Sequence, residues 1–351
     1  VATWTIDLRD LNGAGDRLAS AKFRSGTFGY VLNAPGAFAA DLALTDAQST
    51  VANWAPGSTE VRIKRNSVLV WGGYLWSAQV EARDRLSVRG EGYYSRLRRR
   101  FVMADLIYND VNQQQIAWNL IAHTQRLSNG NLAFTQGAHA GANMVRDRDY
   151  RAMDNPNITD SIDELTQLDD GIDFEITPAP DDAANKTFKT YYQRKGTDLS
   201  GSVTLDGSKM MKLSYDRDAT DVASEVLSIG QDDCNPPSSD DTDSTALTNF
   251  GLLQDIEAVD SGQLRDVQRH GAETIRNERN VHWTARVDFV EGTGAQAWAA
   301  FVVGDRITLA ANRGPTGGFL NFSQPMRVLT HETTLESPTH AFHTVTLDSV
   351  W

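Results

Sequence analysis

Cysteine is almost missing from this sequence, with Cys234 the only one among 351 residues. An intrachain disulfide is therefore impossible and cysteine-rich zinc sites are excluded, a composition that suits folding in a reducing cytoplasm. Long apolar runs are missing as well. The longest, Ala297-Trp298-Ala299-Ala300-Phe301-Val302-Val303, is far below the roughly 18–20 residues that a membrane helix needs, so no stable membrane insertion is expected. The opening residues Val1-Ala2-Thr3-Trp4-Thr5-Ile6-Asp7 lack the basic, apolar and small-residue succession of a secretory signal. Basic residues are in deficit, 33 Lys and Arg against 46 Asp and Glu, for a net charge of −13. That balance repels phosphate overall and gives no general counterion-release contribution to nucleic-acid binding, which disfavours tight DNA wrapping.

The motifs of familiar catalysis are also lacking. There is no H-E-x-x-H, no G-x-S-x-G and no P-loop, so metalloprotease, nucleophile-elbow and phosphate-loop chemistry have no candidate. Gly292-Thr293-Gly294-Ala295-Gln296-Ala297 matches a dinucleotide fingerprint, yet too little chain follows it for a doubly wound sheet, and a plain turn is the better reading. His340 and His343 stand three apart on an expected strand and so face opposite sides, which keeps them from sharing a metal. Asp169, Asp170, Asp173 and Glu175 are dense but lack EF-hand spacing, and the acids from Asp232 to Asp243 read as a solvated loop rather than a calcium site. No enzyme, cofactor or metal is expected.

What is present is a pattern of strands. Trp4, Ile6 and Leu8 alternate, as do Phe38, Ala40, Leu42 and Leu44, and Val61 and Ile63 precede Val68-Leu69-Val70-Trp71. Turn residues separate them at Asn33-Ala34-Pro35-Gly36 and Ala55-Pro56-Gly57. A short helix is expected over Thr45–Trp54. After Arg100 the period lengthens: a helix capped by Asp110 runs to about Gln125, and another from Asn157 stops at Gly171. Ile172, Phe174 and Ile176 then form a strand whose hairpin partner is Thr187–Arg194. Strands return at Ser202–Leu205, Met210–Tyr215 and Val222–Ile229. From Gln231 to Asp260 there are eight acids and no lysine or arginine, which reads as a mobile loop. A helix from Ser261 to Asn280 and four closing strands complete the chain.

The expected fold is therefore a β-rich α+β class. Two barrel-like β domains, residues 1–103 and 202–351, flank a small α/β insertion at 104–201, and the second is interrupted at about 231–280 by the acidic loop and a further helix. One basic cluster stands out: Arg96, Arg98, Arg99 and Arg100. It is either a solvated face or the contact for an acidic partner surface, since like charges this close repel unless acids lie across an interface. The eight tryptophans mostly sit in apolar patterns and read as core or subunit interface, although exposed coplanar ones would favour a carbohydrate-binding module.

The order of several segments carries a resemblance. Leu32-Asn33-Ala34-Pro35-Gly36-Ala37-Phe38, Gly57-Ser58-Thr59-Glu60-Val61-Arg62-Ile63 and Val70-Trp71-Gly72-Gly73-Tyr74-Leu75 resemble the opening of siphophage minor tail proteins of the baseplate-hub (tail-associated) family. Ile158 to Phe174 is similar to that family's helix-then-strand unit. Leu213–Asp218 with Ser224-Glu225-Val226 resembles its return into the second barrel, and Gly304–Ile307, Arg327–Leu329 and Val345–Leu347 its closing strands. The resemblance implies a homotrimer that forms a ring at the tail tip, joins the distal tail protein ring at the end of the tube to host-contacting tip proteins, meets the tape measure protein and lets DNA pass without specific binding. It also implies a virion component assembled in the bacterial cytoplasm. Some relatives carry a wall-degrading C-terminal extension, whereas this chain ends at Trp351 on the expected last strand. The alternative is a carbohydrate-binding tail module recognising the host surface.

Overall fold

The computed structural model describes residues 2–11, 17–21, 25–81, 84–142, 144–168, 170–178, 185–207, 210–231, 235–259, 264–312, 321–337 and 340–349. Asp169, the turn residues Ala179 to Asp182, Cys234 and Trp351 lie outside them. The chain forms a β-rich α+β fold that divides into two compact units, residues 1–212 with 287–346 and residues 213–286 with 347–351.

In the larger unit, alternating apolar residues build one long sheet. Trp4–Asp10 lies between Arg17–Ala21 and Thr59–Arg65, all antiparallel. Thr59–Arg65 continues to Val68–Glu81, then to Arg85–Gly92, Ala37–Ala43 and Ser25–Val31. Ser25–Val31 next pairs with Asn321–Ser337, in the register Val31 to Thr330 and Gly26 to Leu335. The first half of that 17-residue strand pairs instead with Arg306–Asn312. Hydrogen bonding thus runs continuously from the first hundred residues into the last fifty. Sequence periodicity gives a strand's faces but not its edge partners, so it could not show this joining. The core beneath contains Trp4, Ile6, Leu8, Phe28, Phe38, Trp71 and Val88, with Leu335 and Ala341 contributed by the closing strands. Gly36 is required where the Asn33–Gly36 turn closes, because a Cβ there would fall 1.7 Å from the Gly29 carbonyl oxygen.

Residues 104–201 add helices α1 (Gln113–Gln125) and α2 (Ile158–Gln167). They also add the pair Leu106–Asn112 with Val145–Tyr150, and a sheet in which Lys186–Tyr191 is antiparallel to Asp173–Pro178 and parallel to Phe134–Ala140. The predicted strand at 172–176 and its hairpin partner are present. The expected Asp110 cap is not: a strand runs through that position, and Asn112 caps α1 by accepting from Gln114 N at 2.9 Å. Asp110 adopts φ 52 and donates its N–H to Asp147. No helix forms over Thr45–Trp54 either, where successive turns are held by polar side chains that compete with helical bonding, such as Asn53 Nδ2 donating to Gln48 O. The buried Trp54 indole donates to that same carbonyl at 3.0 Å.

In the smaller unit, Glu225–Gly230 is the central strand, antiparallel to Ser238–Thr242 and parallel to Gln254–Val259. Between the outer strands lies α3 (Ser244–Phe250), and α4 (Leu264–Glu278) packs on one face of the sheet, with Ile275 against Val226. The loop expected at 231–260 is thus largely strand, helix and strand. One of its acids is structural: Asp243 caps α3 by accepting from Thr245 N and Ala246 N. Edge strands tolerate polar sequences because a central apolar strand supplies the burial, which is why composition read this segment as loop.

One buried pair went unseen in the sequence. His331 and His343, on neighbouring strands, share a 3.1 Å hydrogen bond inside a box of Phe289, Trp298 and Phe301. Thr333 Oγ1 lies 3.2 Å from His343 Nδ1, and the Arg65–Glu291 ion pair closes the far side. Burial pushes His331 down to about 4, while burial, His331 and Arg65 push His343 down to about 3. An unfolded chain takes up both protons as pH falls below about 6.5. The folded chain resists, so stability is fully present above that pH and is lost toward pH 4, by up to about 1.4 kcal/mol per pH unit for each histidine. Thermal unfolding followed across this range is expected to show a steep decline in Tm that His331→Phe makes shallower; an unchanged slope in the variant would exclude the pair as its source.

Candidate assembly interface

The four arginines lie on or just after a 3-10 helix, Tyr93–Arg99, that follows the strand Arg85–Gly92. Tyr93, Tyr94, Ser95 and Leu97 point inward and are buried, which turns Arg98 and Arg99 out to solvent. Arg96 lies over the Tyr74 ring at 5.2 Å and donates to Gly57 O. Arg99 sits over Trp76 at 5.9 Å, and the Trp76 indole is held by its bond to Ser95 Oγ. Arg98 pairs with Glu91 at 2.7 Å, so one of the four is neutralised within the chain. That pair is exposed and contributes only about 0–1 kcal/mol, which leaves Arg98 available for exchange. Burial, and then Arg96, lower Arg100 below the ordinary guanidinium value.

A buried ionic network supports this segment. Glu60 and Arg62 are fully inaccessible, and Arg62 Nε donates to Glu60 Oε1 at 2.6 Å. Tyr93 OH donates to the same oxygen, and Lys186 Nζ lies 3.4 Å from Glu60 Oε2. Burial followed by Glu60 raises Tyr93 well above its ordinary value, and burial lowers Lys186 despite the neighbouring carboxylate. Gly72 leaves the space for the phenol, since a Cβ there would fall 2.2 Å from Tyr93 Oη. Strand and insertion are therefore bound through one carboxylate at the base of the arginine helix.

A second carboxylate ties further segments. Asp173 is fully buried, pairs with Arg327, and accepts from Asn33 Nδ2 at 2.8 Å and Lys195 N at 2.6 Å. Glu175 accepts from Tyr191 OH and Lys195; burial alone would raise it, but Lys195 and these bonds hold it below the usual carboxylate range. These acids of the dense 169–175 run are thus absorbed by internal cations. A separate carboxylate group, Asp255, Glu257 and Glu278 in the smaller unit, has oxygens within 4.8 Å of one another and escaped the sequence reading because Glu278 comes from α4. Burial, then Asp255 and Glu257, push Glu278 up to about 7.

Among the described tryptophans, Trp4, Trp54 and Trp71 are buried and Trp298 packs on the core. Trp283 is covered by Arg217 at 4.4 Å and stacked on Tyr215, and Trp76 lies beneath Arg99. Trp118 packs partly buried against the helical core. Among the described residues no helix is long and apolar enough to cross a membrane.

No protein-family model matches the sequence, and no curated protein sequence does either. Solved structures do match the fold. The tail protein of Neisseria meningitidis MC58 aligns with a TM-score of 0.64 at 14% identity, over 99% of this chain and 96% of that one. Prophage tail protein gp18 of Listeria monocytogenes EGD-e gives 0.64 at 12% identity over 98% and 94%. The Escherichia coli c3393 protein, a type VI secretion system component described as structurally similar to T4 bacteriophage tail proteins gp27 and gp5, gives 0.51 at 10% identity over 93% and 73%. The chain has the fold of phage tail proteins.

The Glu60 network carries a quantitative expectation. Glu60→Gln leaves Arg62 and Lys186 buried without a counter-charge and should cost about 3–5 kcal/mol in denaturant unfolding. Glu91→Gln, which removes only the exposed partner of Arg98, should change stability by about 0–1 kcal/mol. Equal losses from the two would contradict a supporting role for Glu60.

Proposed function

We propose that the chain is a structural hub protein of a siphophage tail tip. Three copies form a ring that joins the distal tail protein ring, at the end of the tube, to host-contacting tip proteins, and DNA passes through without specific binding. The single observation that carries this reading is the fold match to tail proteins over nearly the full length of both chains. The acidic balance is compatible with it, because a passage poor in basic groups does not retain DNA. The role is structural rather than catalytic: Asp173 and Glu175 are engaged by Arg327, Lys195 and Tyr191. Within the same proposal, the strands of 1–103 and of 202–351 are the two ring-forming halves of the subunit, flanking the insertion at 104–201. The tape measure protein is the expected neighbour on the tube side, and assembly takes place in the bacterial cytoplasm.

Arg98, Arg99 and Arg100 are assigned to a contact with an acidic surface of a neighbouring ring subunit. Arg96 serves the fold as well, through Gly57 and Tyr74. Replacing Arg98, Arg99 and Arg100 together with glutamine should leave circular dichroism of the isolated chain unchanged and reduce its incorporation into tails, with the deficit relative to the unaltered chain largest at low salt and shrinking as salt rises. Undiminished incorporation at every salt concentration would make these arginines a solvated face.

A further inference from the structure

The sheet of the smaller unit has an uncovered face. Gly271 of α4 lies against Ser228 and Asp241, so the residues alternating with those two project to the other side. Register places them in three rows: Ser238, Ile229 and Ala258; Asp240, Leu227 and Ile256; Thr242, Glu225 and Gln254. Ile256 is 66% exposed, and nearby Leu252 is 58% exposed, with Leu247, Phe250 and Leu253 also open to solvent. Five large apolar side chains open to solvent within ten residues are an exposure of the kind that marks an interaction site. The surrounding sequence, from 231 to 260, carries eight acids and no lysine or arginine.

The larger unit presents a surface of opposite sign. Beyond the arginines the chain is extended: Val102 turns inward, while Phe101 and Met103 on either side are 43% and 61% exposed. The backbone is fixed by Val102 N donating to Pro156 O and Met103 N donating to His123 Nε2, so the two outward side chains are presented in a set geometry. From Tyr93 to Met103 there are four arginines and no acid. One chain therefore carries a basic apolar strip and an acidic apolar face, each made of two or more outward apolar residues beside charges mostly of one sign.

We propose that these two surfaces meet between copies: residues 98–103 of one copy lie on the Leu227 and Ile256 face of the next, with Arg98, Arg99 and Arg100 against Asp240 and Glu225 of that face. The occupant is a second copy of this chain because it alone, among the surfaces described, supplies both the positive charge and the exposed apolar side chains that the face lacks. Such a contact is heterologous, the kind that generates rings when the rotation closes. It rests on the hub reading above and names the acidic surface which that reading leaves open.

The test uses the full chain with Cys234→Ser, so that introduced cysteines are the only ones. Met103→Cys and Ile256→Cys variants, each confirmed folded by circular dichroism, are mixed and oxidised. The expected result is a disulfide-linked dimer at least tenfold more abundant than with Val51→Cys, an exposed position elsewhere, in place of Ile256→Cys. Charge reversal of Arg98, Arg99 and Arg100 to glutamate should abolish the product, and adding Asp240→Lys with Glu225→Lys in the partner should restore it. Equal cross-linking at Val51 and Ile256, or no rescue by the reversed acids, overturns the pairing. Light scattering on the same samples separates the two levels: an oligomer without this cross-link removes the proposed surface and leaves the hub reading standing, whereas a monomer at every concentration removes both.

Discussion

A carboxylate taken out of water must be compensated by cations and donors, and removing one partner leaves a charge that the interior cannot tolerate. Two such carboxylates fix where distant segments of this chain meet. Glu60, from the first sheet, gathers Arg62, Tyr93 and Lys186, so that the 3-10 helix and a strand of the insertion are held to the same point. Asp173, from the insertion, gathers Asn33, the Lys195 backbone and Arg327, which come from a turn, a connecting segment and a closing strand. Apolar packing holds each region together, but it is non-directional; the ionic contacts specify the relative placement of these segments within the larger unit. Because the interior of Tyr93–Arg99 is anchored, its arginines are displayed in a fixed geometry instead of on a free loop.

The parts of the fold that depend on local pattern were legible in the sequence, and the parts that depend on long-range pairing were not. Apolar spacing at Ile158, Ile162 and Leu165 marked α2, and alternation at Ile172, Phe174 and Ile176 marked the strand that follows it. Nothing local to residues 25–31 or 321–337 indicates that they pair with each other, so the joining of the two β-rich regions could not be read. The acidic segment misled for a related reason. Composition reports the polarity of Ser238–Thr242, whereas its strand state is imposed by Glu225–Gly230 beside it. Of the candidate site, the arginines were visible as a charge run, but their division of labour was not: Arg96 and Arg99 depend on Tyr74 and Trp76, some twenty residues earlier in the chain. The histidine pair and the Asp255, Glu257 and Glu278 group likewise join residues from different elements.

The surface follows the same economy of charge as the interior. The acids of the smaller unit are concentrated in a segment without lysine or arginine, and the arginines of the larger unit in one without acids, where Glu91 of the preceding strand reaches Arg98. Each would be a liability to an isolated molecule through self-repulsion, and each becomes favourable when the other is brought to it. Exposed apolar residues accompany both charges, which adds a contribution that salt does not screen. Copies of one chain bearing two such complementary surfaces can associate head to tail, and a ring of this kind needs no cofactor and no catalytic group.

The account stands on the chain being a ring component at the end of a phage tail. The most direct measurement is its position and copy number in purified particles whose genome encodes it, by gold-labelled antibody in the electron microscope and by quantitative mass spectrometry. The account predicts label confined to the tail tip and three copies per particle. Label along the tube or on the head, or a copy number in the tens or hundreds, would contradict it.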